Sequence, residues 1–105
     1  MKRRRESLDI QLLTREVRRL PAIEASWSTL DPEDRVAFRA EWHDLMDVFG
    51  HVAAACAAGR LGDADDQDLR TVAVALVAVL PALERMRLRS PDPEILARMR
   101  LAAAG

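Results

Sequence analysis

The chain has 105 residues, half of them apolar, with four Gly, five Pro and a formal net charge of -1. That is one domain's worth of chain with enough apolar content to fold, and its charge balance disfavours a protein that binds nucleic acid over its whole surface. Ala (18) and Leu (14) dominate while Tyr and Asn are absent, a composition that favours helices and excludes an all-β architecture.

Read from its start, the chain opens with a basic segment, and residues 1–6 are expected as a flexible arm. Ile10, Leu13, Val17 and Leu20 then recur at offsets of 0, 3, 7 and 10, one face of a helix opening near Ser7. Pro21 lacks an N–H and crowds the carbonyl four residues back, so this helix is expected to break or kink there before Ile23, Trp27 and Leu30 resume the spacing.

Asp31-Pro32-Glu33-Asp34 combines a capping Asp, a Pro suited to the first helical position and acids at the positive end of the dipole. A second helix starts there and carries Phe38, Trp42, Leu45, Phe49, Val52 and Cys56 on one face, with Gly59 as its stop. A third is expected from a cap at Asp63 to Arg89, with Leu69, Val72, Leu76, Val79, Leu83 and Met86 inward and a kink at Pro81. Each of the two is about 40 Å long. Ser90-Pro91-Asp92-Pro93-Glu94 introduces a short last helix bearing Ile95, Leu96 and Met99. The predicted fold is an all-α antiparallel bundle: a long αα-hairpin, an N-terminal helix and a short C-terminal helix in a single domain.

Several chemistries are argued against by residue counts and spacing. Cys56 is the only cysteine, so there is no intrachain disulfide and no Cys-based metal cage. No Gly-rich phosphate loop and no nucleophile motif supports an enzyme, and no cofactor is implied. The longest uncharged run, Thr71 to Leu83, is too short for a membrane span of about twenty residues. With no export signal after the basic start, a soluble cytoplasmic protein is expected.

His43, Asp47 and His51 stand at i, i+4 and i+8 and invite a metal-site reading. The two imidazoles are about 12 Å apart along the axis, which favours a solvated polar row instead. Asp63, Asp65, Asp66 and Asp68 resemble the start of a calcium loop but lack its Gly and closing Glu, and fit a helix N-terminus better.

The functional expectation rests on the third helix. From Thr71 to Leu83 no side of it is polar, and a helix apolar all round has to be covered all round. A chain this short leaves one face of each long helix wet, so a second copy is expected as cover, with Ala75, Ala78 and Ala82 as the self-association stripe. Ala53, Ala54, Ala55, Ala57 and Ala58 supply a similar small surface on the second helix. Charge sums of +4, -8 and +3 over residues 1–21, 22–68 and 69–105 mark Arg15, Arg18 and Arg19 as contacts for an acidic partner. The expected role is a homodimeric, non-catalytic interaction module. Alternatives are a nucleic-acid-associated accessory protein using the basic arm, which the lack of interleaved aromatics disfavours, and a metal-binding bundle.

Overall fold

The described residues, 2–104 with side chains for 5–99, form four helices in a computed structural model. They are α1 (Lys2–Ser26), α2 (Pro32–Ala57), α3 (Asp63–Arg85) and α4 (Pro93–Ala104), with a 3-10 turn at Trp27–Thr29. The all-α fold is as expected, and three boundaries differ.

The helical backbone begins at Lys2 instead of near Ser7, so residues 2–6 belong to α1 where an arm was expected. Met1 and the side chains of residues 2–4 lie outside the described residues. α1 then runs through Pro21 to Ser26 with no break. Packing on both sides of the proline explains this: Val17 and Leu20 are buried before it and Ile23 joins the same core after it, outweighing one missing hydrogen bond. α3 continues through the exposed Pro81 in the same way.

α3 stops at Arg85, four residues before the expected end. Arg87 N–H donates to the Glu84 carbonyl at 3.1 Å and Leu88 N–H to the Leu83 carbonyl at 2.8 Å, with Arg87 at φ 56°. This is a Schellman ending with arginine where glycine is the usual choice. The end of α2 repeats it with Gly59 at φ 71°. Because an L side chain in that region costs about 1 kcal/mol, Arg87→Gly should stabilise the fold by about that amount, read as a rise in the urea midpoint.

The starts are better marked in sequence. Asp31 sits at the N-cap of α2 with Pro32 after it, although its side chain makes no capping bond, and Gly62 takes the cap of α3 in place of Asp63. Asp92 caps α4 directly, its carboxylate accepting from the Glu94 N–H at 2.9 Å.

Contacts at the helix ends fix the topology. Ser7 on α1 meets Asp65 on α3, and Glu24 meets Arg85, so these helices run in the same direction. Cys56 at the end of α2 meets Asp66 at the start of α3, while Arg39 and Trp42 reach Met86 and Arg89, so α2 runs opposite to α3. α4 packs on α3. The inward stripes are those expected: Ile10, Leu13, Val17 and Leu20 meet Trp42, Leu45, Phe49 and Val52, and Leu69, Val72, Leu76, Leu83 and Met86. Phe38, Cys56 and Val79 lie half-buried at its margin. The body measures 42 × 30 × 18 Å, thin enough in one direction that a helix covered on one side is open on the other.

Candidate interaction surface

α3 shows this directly. Leu69, Val72, Ala73, Leu76, Ala82 and Leu83 point into the core, while Thr71, Val74, Ala78 and Pro81 are exposed, Val74 at 57%. Successive steps of three, four and three residues put those four on one row. The row is turned from the one expected. Of the three alanines assigned to self-association, Ala78 lies on it, Ala75 is half-buried beside it, and Ala82 is enclosed by the chain's own core. Val74 and Pro81 are the members the alanine pattern missed.

A second row borders the first. Gln11, Arg15, Arg18 and Arg19 of α1 share a shallow groove with Asp68 and Thr71 of α3. Leu8, 59% exposed, and the exposed Ala22 and Ala25 extend that α1 row at helical spacing. The basic and small-residue surfaces, separate in sequence, thus adjoin. Their electrostatics are uneven: Arg19 donates to both Glu16 carboxylate oxygens, at 2.7 and 3.0 Å, and Arg15 lies 3.7 Å from the same group. Arg18 is the member of the trio without an ion-pair partner among the described residues. A cluster already neutralised in part by Glu16 is a poor phosphate holder.

The polar row on α2 serves internal contacts. Arg89 donates to the His43 carbonyl at 3.1 Å and to Asp47 at 2.8 Å, and this hydrogen bond holds the Asp47 carboxyl below its usual range. Arg39 turns to the Met86 carbonyl and lies 5.3 Å over the Trp27 ring. Trp27 meets Phe38 edge-on at 5.9 Å, and Phe38 stacks on Trp42 at 6.4 Å. This closes one end of the bundle. His43, Asp47 and His51 stay exposed, and no group of three metal-ligating side chains is gathered among the described residues.

At the other end Asp66 links two helices, accepting from the Cys56 thiol at 2.9 Å and from Arg70 at 2.8 Å. Arg70 and the thiol together lower the Asp66 carboxyl. Burial, then the bond to Asp66, pushes the Cys56 thiol from its ordinary 9.0 up to about 11. The folded chain therefore holds this proton more tightly than the unfolded one, and the associated stability, complete below pH 9, is lost as pH rises through about 11. Iodoacetamide should label native Cys56 slowly at pH 8 and faster as pH approaches 11, and Asp66→Asn should move that rise only part of the way down, because burial is the larger cause. A rate profile centred on 9 in the native protein would contradict the assignment.

Among the described residues no helix is long and apolar enough to cross a membrane. No family model matches the chain, and neither a curated protein nor a solved structure matches it.

Proposed function

We propose that this chain is a non-catalytic interaction module that acts as a homodimer, its two copies joined through the open row of α3 and the adjoining row of α1. The observation that carries the reading is Val74: a large apolar side chain, 57% exposed, halfway along a helix whose uncharged stretch runs from Thr71 to Leu83. Ala78 and Pro81 beside it let a second helix approach closely. A standard interface takes about 800 Å² from each partner, close to a ninth of the 7040 Å² surface of one chain. The α3 row, about 15 Å from end to end, is too short to supply that by itself. Leu8, Ala22 and Ala25 on α1 add apolar area, and Arg18 supplies a charge at the edge to orient the partner. The basic trio thereby belongs to a protein contact, with its acidic counterpart on the second copy.

Coupling of folding to association tests this reading. The melting temperature of the native chain should rise by several degrees between about 1 and 100 µM, because mass action favours the folded dimer. A melting temperature independent of concentration across that range would contradict it.

A further inference from the structure

The open rows of α1 and α3 share a centre. On α3, Val74 and Ala78 stand at equal steps on either side of Leu76, and Thr71 and Pro81 do so farther out. On α1, Leu8 and Ala25, Gln11 and Ala22, and Arg15 and Arg18 flank the point between Glu16 and Val17 in the same way. Ser7 meets Asp65, 58 residues on, and Glu24 meets Arg85, 61 residues on, so that point on α1 falls level with Leu76 of α3. Each row alone has a centre because helical steps of three and four alternate. That the two centres lie at one height is a property of how α1 and α3 pack, and it lets a single twofold axis, set across both helices, serve both rows.

Rotation about this axis lays α3 on the partner's α3 and α1 on the partner's α1, each pair antiparallel. Val74 then meets the partner's Ala78 and Leu8 meets the partner's Ala25, a large exposed side chain on a small one in both places, which lets facing helices interdigitate. The partner's Glu16 comes level with Arg15 and Arg18 and supplies the acid that the basic row lacks on its own chain, and the helix dipoles oppose one another. A twofold axis running along the helices would do the reverse. It would set α1 on the partner's α3, with Arg15 and Arg18 over the partner's Val74 and Ala78, and so place charges without partners at an apolar contact.

We propose that the two copies pair antiparallel about this axis, an inference that rests on the dimer described above. Because each row faces its own copy, the assembly closes at two chains and does not propagate.

The test uses full-length chains carrying Cys56→Ala, to remove the native thiol, and either Leu8→Cys or Ala25→Cys. Each variant alone and an equal mixture of the two, left to exchange, is treated with a short bis-maleimide, and linked chains are counted on a denaturing gel. In the antiparallel pair a thiol at either position is about 25 Å along the axis from its counterpart on the other copy but beside the other variant's thiol, so the mixture should give at least about tenfold more linked product than either variant alone. Gln11→Cys with Ala22→Cys, the next pair inward, repeats the test if the loss of Leu8 weakens the contact, and should give the same pattern. Linked product from a single variant equal to that of the mixture, or no excess in either mixture while sedimentation finds two chains, would overturn the antiparallel arrangement and leave self-association standing. A native protein that sediments as one chain would overturn both.

Discussion

Trp42→Ala is expected to cost about 3–5 kcal/mol, a large share of the roughly 5–15 kcal/mol that holds a domain folded. Trp42 is 1% exposed, stacks on Phe38 and lies in the core between α2 and the other helices. Its indole N–H also donates to the Arg89 carbonyl at 2.8 Å, tying α2 to the segment between α3 and α4. Truncation removes the ring, leaves a cavity and strips that carbonyl of its donor. Trp42→Phe separates the two effects: it keeps most of the packing and loses the hydrogen bond, worth about 1 kcal/mol, which lowers the melting temperature by about 4–8 °C. Urea unfolding of the two variants checks both. A cost below about 1 kcal/mol for Trp42→Ala would mean that this end of the bundle does not hold it together.

Val74→Arg should leave the single chain folded and abolish its self-association. The side chain is already 57% exposed and the helix tolerates arginine well, so helical content by circular dichroism should stay at the native level. At the dimer contact the same change buries a charge without a partner, a penalty of about 2–5 kcal/mol, or at least thirtyfold in dissociation constant. Val36→Arg is the matched control, because Val36 is 63% exposed on α2, away from both rows. It should leave association unchanged. Equal behaviour of the two variants in sedimentation velocity would remove the α3 row from the contact.

How far the sequence reaches is visible helix by helix. The buried faces of α1, α2 and α3 follow from the spacing of Ile10–Leu20, Trp42–Val52 and Leu69–Met86, because burial of an apolar stripe is a local periodic property. The end of α3 does not, since the residue that turns the chain is Arg87 and no glycine marks the place. Nor does the orientation of the open face. Helical spacing separates the row of Val74, Ala78 and Pro81 from the row of Ala75 and Ala82, but which one stays uncovered depends on where α1 and α4 settle, and contacts such as Glu24 with Arg85, 61 residues apart, decide that. The polar row of His43, Asp47 and His51 is legible as a solvated face, whereas its use by Arg89 is not, because the linker bearing Arg89 returns over α2 only in the folded chain. The groove that joins Arg15 and Arg18 to Thr71 has the same origin: two rows far apart in sequence meet because α1 and α3 run side by side.

The most direct check on the central claim is the mass of the native protein at sedimentation equilibrium in the micromolar range. Self-association through α3 predicts a species of two chains, each 11.7 kDa. A single chain at every concentration up to about 100 µM, a limit that leaves any pairing weaker than about 5–6 kcal/mol, would contradict it.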